Sequence, residues 1–263
     1  KYYEKALNSK ATVILINKTV PCPKGKALII SDDPFRDFNT LTTHFKPFHP
    51  SSQAISDTST IGNKTIIQPN CFIGNHVQIG ENCIIHANVS IFDDTIIGDN
   101  VVIQSGSVLG ANAFYYKKRP EGYDQLRSSG RVVIKDHVHI GASCTIDRGV
   151  TGDTTIGKGT KLDNLIQVGH DTLIGSNCLI ASQCGIAGCC IIEDDVTIWG
   201  QMGTNSGITI GAGAVILGQS GVTKSVEGGK TYFGTPIEES RSKFKELALL
   251  RKLPEIIKEL KEK

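Results

Sequence analysis

From Ile55 onward an aliphatic residue recurs at every sixth position: Ile61, Ile67, Ile73, Ile79, Ile85, Ile91, Ile97, Ile103 and Leu109. The register is lost between Ala111 and Arg131 and returns at Ile134, Ile140 and Ile146. After a slip of four residues it runs from Ile156 to Val222. Of the 25 positions in this column only Thr204 is not Ile, Leu or Val, so the period is not an accident of composition. An amphipathic helix repeats its apolar residues every three to four positions and a strand every two, so neither has a period of six. The period fits a parallel β-helix of hexapeptides, short strand then turn, with three hexads closing a coil of about 18 residues. Each column residue then points inward, coils stack at ~4.8 Å, and each buried Ile contributes about 1.5–3 kcal/mol.

Two further features follow the same register. Glycine comes directly after the column residue ten times, as in Ile73-Gly74 and Ile140-Gly141, and is expected there to ease a tight turn. Cys71, Cys83, Cys144, Cys178, Cys184 and Cys190 each sit two residues before a column aliphatic. At that second inward position a cysteine serves as a small hydrophobe. No C-x-x-C pair exists, so free thiols are expected rather than a zinc ribbon or redox centre.

Lys and Arg total 28 against 26 Asp and Glu, a balance that gives no sign of a chain coating nucleic acid or hugging a membrane. No run reaches the ~18 apolar residues of a membrane span, and no basic-then-apolar leader opens the chain. Neither a nucleic-acid partner nor a transmembrane segment is expected.

The hexads divide the chain into three parts. Residues 1–50 lack them; Ala11–Ile16 and Ala27–Ile30 read as short buried strands, and Asp33-Pro34 as a helix start. This is a small α/β domain, expected to be incomplete at its front because the chain opens on Lys1. Residues 51–235 form the solenoid, interrupted at 112–131 by an insertion rich in aromatic and basic residues. That insertion is either a solvated excursion or a flap whose Phe114, Tyr115 and Tyr116 wall a ligand cleft. Residues 236–263 form a helical tail. Phe244, Leu247 and Leu250 mark one helix, and Pro254 starts a second, with an apolar stripe that copies of the chain would cover. Its eight Lys and Arg residues either form a solvated face or meet an acidic partner.

Among the seven histidines, His170 lies two residues past a column aliphatic, at a corner of a coil. Asp163, in the same coil, is placed to orient its imidazole. A histidine so held suits general-base chemistry, although an idle surface histidine would look the same. One coil further on, the residue stacked over His170 is Gly188, whose backbone N–H could donate to an oxyanion. The close pairs His44/His49 and His137/His139 lack a third ligand in register, so no metal is expected.

The run from His86-Ala87-Asn88-Val89 through Gln104-Ser105-Gly106, Ile146-Asp147-Arg148-Gly149, Asp163-Asn164 and Gln167 to His170 resembles the UDP-3-O-(3-hydroxyacyl)glucosamine N-acyltransferases of lipid A synthesis. The Phe233-Gly234-Thr235-Pro236 exit and helical tail also fit that family. The resemblance implies a mainly β protein, a left-handed parallel β-helix in a cytoplasmic homotrimer. It further implies transfer of a 3-hydroxyacyl group from acyl carrier protein to the 2-amino group of UDP-3-O-acyl-glucosamine. By resemblance His170 is the catalytic base, Gly188 the oxyanion donor and Asp163 the orienting carboxylate. Asn164 and Gln167 line the substrate, and Tyr2 is a uracil contact at the end of a nucleotide pocket. No cofactor is bound to the protein; phosphopantetheine arrives on the carrier, which the basic tail helices would meet.

Two stretches depart from the family pattern. Its Asp-Gly-Phe-Gly-aromatic segment reads Asn112-Ala113-Phe114-Tyr115-Tyr116, and its second active-site histidine falls at Gly207. Losing one electrostatic contributor commonly costs ~10²–10³ in rate. An N-acyltransferase for another nucleotide amino sugar, or a non-catalytic paralogue, is therefore the alternative.

Overall fold

A computed structural model describes residues 2–262; of Tyr2 only the backbone belongs to the described part. The chain divides into two compact units. One holds the segment ending at His49 together with Tyr115–Arg127, and the other Pro50–Phe114 together with the segment from Ser128 onward.

The first unit contains helix α1 (Tyr2–Leu7), strands β1 (Val13–Ile16) and β2 (Ala27–Ile30), and helix α2 (Pro34–Phe45). Pro34 opens α2 as its fixed φ favours, with Asp33 at the N-cap. The two strands pair in parallel, Val13 with Ala27 through Ile16 with Ile30. They are less buried than the sequence predicts: Ile14 and Ile16 are covered, whereas Ile29 and Ile30 are exposed. Much of the insertion belongs here. Tyr116–Arg119 and Gly122–Gln125 form an antiparallel hairpin fastened to α2. Arg36 Nε donates to Asp124 at 2.8 Å, Asn39 Nδ2 to the Gln125 carbonyl at 2.9 Å, and the rings of Phe35 and Tyr115 stack.

The second unit is the solenoid. Its strands, mostly of two residues, build three long sheets of ten, eight and eight strands, parallel throughout except for the last pair of the ten-stranded sheet, so each coil contributes one strand to each face. Ile61 pairs with Ile79 and Ile79 with Ile97, one coil apart. The insertion is absorbed between Ile97 and Ile134, and the four-residue slip between Ile140 and Leu162, without breaking any sheet. From Ile73 to Val222 the column is buried except at the half-buried Thr204, and the six inward cysteines are buried with it. Desolvation pushes the thiols of Cys83, Cys144, Cys178 and Cys184 up, as apolar surroundings should.

Nine of the ten glycines after a column aliphatic serve a different purpose from the one their position suggests; only Gly110, with φ of 90°, takes a left-handed turn. Positive φ falls three residues past the column, on residues such as His76 (57°), Asn100 (56°) and Asp171 (54°). Gly74 and Gly80 have no such φ. A Cβ on Gly74 would lie 2.8 Å from the Asp93 backbone nitrogen, and one on Gly80 2.6 Å from Gly98 C, both in the next coil. Close stacking of coils, not turn freedom, demands the missing side chain.

The tail is one helix, α3 (Ser240–Lys261), with Pro254 inside it rather than two helices broken there. Proline removes a single helical hydrogen bond, and the Leu, Lys, Arg, Ile and Glu residues around it favour the helix strongly enough to continue. No described residue of α3 is buried; Phe244 stacks on Phe233 with ring centroids 5.3 Å apart.

Candidate active site

Each coil turns a corner just past the column residue, and the corner after Val168 carries Gly169, His170 and Asp171. Asp171 takes the left-handed position, which aspartate tolerates better than most residues. That turn folds its carboxylate back onto its neighbour: His170 Nδ1 lies 2.8 Å from Asp171 Oδ2. The backbone N–H groups of Val150 and Gly152 donate to the same carboxylate at 2.9 and 3.2 Å. Burial pushes the Asp171 carboxyl up. The hydrogen bonds from His170, Val150 and Gly152 outweigh it, leaving the group below the ordinary aspartate value. An ionised acceptor on Nδ1 fixes the tautomer in which Nε2 carries the free lone pair.

Asp171 therefore replaces Asp163 as the orienting group. Asp163 is engaged with its own corner, accepting from Asn164 N at 2.8 Å, Asn164 Nδ2 at 3.0 Å and Ser182 N at 3.2 Å. The cue in the sequence was the dipeptide His170-Asp171 itself, since adjacent side chains can meet only where the chain turns this sharply.

Gly188 lies directly over the imidazole. A Cβ there would come 2.6 Å from His170 Nε2 and within 2.9 Å of Cε1 and Cδ2, so only glycine leaves the ring its place. Its backbone N–H has no hydrogen-bond partner among the described residues. The contrast with other corners is informative. At Asn75, Glu81, Asp99 and Ser176 the equivalent N–H is capped by an aspartate of the next coil, and at Ala142 by Asn164. Among the described residues the Gly188 N–H is uncapped, as are those of Asp194 and Gly200, but only Gly188 stands over an imidazole. The adjoining Ala187 N–H is held instead by Thr204 Oγ1 at 2.8 Å. The one polar member of the aliphatic column thus fastens the amide beside Gly188.

Asp147 completes the neighbourhood and was not singled out as a site residue by sequence reasoning. It is buried, accepts from Gln167 Nε2 at 3.0 Å, and feels the charge of His170. Burial raises its carboxyl, with the Gln167 bond only partly offsetting this. Gln167 also accepts from the Thr145 hydroxyl, so the Gln167 amide bridges two residues of the coil below. Asn164 is exposed, with Oδ1 accepting from Ala142 N at 2.7 Å. Phe114 belongs to the solenoid unit and is 84% exposed, whereas Tyr115 and Tyr116 belong to the other unit. The three aromatics are thus not one wall of a single unit. The Tyr2 side chain lies outside the described residues. Gly207 occupies a left-handed corner with φ of 70° and open space where its Cβ would be.

Known proteins resemble the solenoid that carries this corner. Residues 58–93 and 153–188 match the family model described as bacterial transferase hexapeptide (six repeats), the second stretch containing both His170 and Gly188. Residues 76–111 match the hexapeptide repeat of succinyl-transferase. The UDP-3-O-acylglucosamine N-acyltransferase of Methylobacterium sp. (strain 4-46) is 39% identical over 132 residues, 50% of this chain and 38% of that protein. The namesake from Campylobacter lari is 39% identical over 124 residues, 47% of this chain and 39% of its own length. The chain thus spans well under half the length of the curated relatives it matches. Among solved structures, the UDP-N-acetylglucosamine acyltransferase of Bacteroides fragilis superimposes with a TM-score of 0.66 at 28% identity, covering 73% of this chain and 74% of that one. The Francisella novicida enzyme of that name gives 0.63 at 27%, covering 68% and 64%. The solenoid is the left-handed β-helix of these hexapeptide transferases.

Proposed function

We propose that this chain, a hexapeptide-repeat relative of the UDP-3-O-acylglucosamine N-acyltransferases, transfers a 3-hydroxyacyl group from acyl carrier protein to the 2-amino group of UDP-3-O-acyl-glucosamine. The observation that carries the reading is the stacked pair: an imidazole tethered by a carboxylate, beneath a backbone N–H that the fold leaves unpaired.

Such a pair suits acyl transfer. The amine attacks the thioester carbonyl while His170 Nε2 takes its proton, and Asp171 steadies the imidazolium through Nδ1–H. Charge building on the carbonyl oxygen is met by the Gly188 N–H, a fixed donor that needs no reorganisation. As the tetrahedral intermediate collapses, the C–S bond breaks and the proton on Nε2 passes to the departing thiolate of the carrier's phosphopantetheine. Asn164 and Gln167, exposed on the preceding corner and strand, are the groups we assign to the acyl hydroxyl and sugar side of the substrate, with Tyr2 as a uracil contact. No resident cofactor is required by these steps.

The same reading takes the protein to be a cytoplasmic homotrimer. Leu173 and Ile191 pair one coil apart on one face of the solenoid and are both exposed, an apolar surface that copies of the solenoid would cover. The free thiols suit a reducing compartment, and no helix of the described residues is long and apolar enough to cross a membrane. The basic residues of α3 would meet the acidic carrier.

The test is direct. The protein is incubated with UDP-3-O-acyl-glucosamine and 3-hydroxyacyl carrier protein, beside His170→Ala. Turnover that the substitution lowers by about 10²–10⁴-fold supports the reading. Turnover of a different nucleotide amino sugar alone would reassign the acceptor. Ligand binding without turnover of either would remove catalysis from the proposal.

A further inference from the structure

Six of the seven cysteines in the solenoid point inward and are buried; the exception is Cys189. It takes the left-handed corner position with φ of 60°, one coil beyond Asp171, so its side chain stands outward over the His170–Asp171 pair. The Cys189 Sγ, an Asp171 carboxylate oxygen and a His170 ring nitrogen all lie within 4.8 Å of one another. One coil further, the stacked position is Gly207, with nothing within 4 Å of where a Cβ would project.

We propose that His170, Asp171 and Cys189 form a site for a thiophilic divalent cation of the zinc class, and that its occupancy silences the imidazole as a base. Thiolate, imidazole and carboxylate are the three ligand types zinc selects, at about 2.3, 2.0–2.1 and 2.0–2.2 Å. A tetrahedral ion holds such atoms roughly 3.3–3.7 Å apart, so the widest of the three spacings need close by only about 1 Å. The carboxylate is already oriented from behind by the Val150 and Gly152 N–H groups, the outer-sphere support that metal-binding carboxylates require. The open space at Gly207 leaves the fourth position to water. The metal takes Nδ1 in place of the hydrogen bond to Asp171, the imidazole proton moves to Nε2, and the base is blocked. The Cys189 thiol gives up its proton as it binds, so one proton is released for each ion.

Metal binding stands apart from the proposed acyl transfer; only its effect on turnover rests on that reading. The full chain, reduced and stripped with a chelator, is titrated with Co²⁺ and followed by absorbance, and with Zn²⁺ by calorimetry in two buffers of different ionisation enthalpy. One ion per chain, a thiolate-to-cobalt charge-transfer band and release of one proton are expected. Cys189→Ser should abolish the band and weaken Zn²⁺ binding by at least the ~10–100-fold that loss of an outer-sphere partner alone causes. His170→Ala should weaken it comparably, and Cys22→Ser, at the exposed cysteine of the other unit, should leave both signals intact. A band that survives Cys189→Ser, Zn²⁺ affinity indifferent to either site substitution, or no binding at all overturns the proposal. Where acyl transfer is measurable, Zn²⁺ should inhibit the unsubstituted protein and inhibit Cys189→Ser much less; absence of turnover bears on the functional reading alone.

Discussion

Gly188 and His170 share one stacked corner so closely that a single methyl on Gly188 would fall 2.6 Å from the imidazole Nε2. Gly188→Ala keeps the backbone N–H yet drives Cβ into the ring. Overpacking of this kind costs about 1–3 kcal/mol, and displacing a base from its acceptor costs more in rate than in stability. The expected outcome is a ~10²–10³-fold fall in kcat with a lowered Tm. In a His170→Ala background the same substitution should cost much less stability, because the clashing ring is gone. A thermal-melt double-mutant cycle checks this; equal penalties in both backgrounds would place the strain elsewhere.

The hydrogen bond between His170 and Asp171 assigns the imidazole to a carboxylate other than Asp163, the one the sequence alone pointed to. Asp171→Asn removes the charge that stabilises the imidazolium and can present the wrong dipole to Nδ1, so kcat should fall about 10²–10⁴-fold. Asp163→Asn touches Asn164 and Ser182 instead and should change kcat less than about tenfold while raising KM through the Asn164 corner. Steady-state kinetics of the two variants side by side decides which carboxylate orients the base.

The reason one aspartate was visible and the other was not is geometric. The hexad column is legible because every inward position makes the same demand on its residue, and coil stacking follows by counting, which brought Gly188 over His170. Counting does not say where a corner side chain points. The left-handed φ of Asp171 folds it back on its neighbour, and nothing in the spacing of Asp163 reveals that its oxygens are spent on Asn164 and Ser182. The hairpin within the insertion is bound to α2 by pairs such as Arg36 with Asp124, a partnership 88 residues apart that no local pattern encodes. Continuity of α3 through Pro254 turned on many small helix preferences outweighing one strong breaker.

Acid stability should carry opposite signs at the two site carboxylates. Asp171 is held below its ordinary value of 3.8, so it binds fewer protons folded than unfolded. Its contribution is complete above that value and is lost as pH falls through the lowered one. Asp147 is raised by burial; it binds more protons folded, and its ionisation costs stability as pH climbs past 3.8. Asp147→Asn should therefore raise Tm at pH 7, the gain shrinking toward pH ~4, whereas Asp171→Asn should lower Tm evenly from pH 7 down to 3.8, its deficit shrinking only below that value. Melting curves carried from pH 7 down to about pH 2 test both. Activity of Asp147→Asn should nonetheless fall, since a negative charge beside His170 favours the imidazolium that the reaction forms.

Thr204 is where stability and function part most sharply. In a column otherwise of Ile, Leu and Val it alone carries a hydroxyl, and that hydroxyl holds the Ala187 N–H adjoining Gly188. Thr204→Val is nearly isosteric and returns an apolar group to the core. The released Ala187 N–H costs about 1–3 kcal/mol, which the added apolar burial partly offsets. The net change in Tm should be small. The Gly188 amide, no longer pinned through its neighbour, should sit less well for the developing oxyanion, and kcat should fall roughly tenfold or more with KM little changed. Thr204→Ser, which keeps the hydroxyl and gives up only a methyl, should restore most of kcat at a lower Tm. A serine variant as slow as the valine one would show that the methyl, not the hydrogen bond, is what the site requires at Thr204.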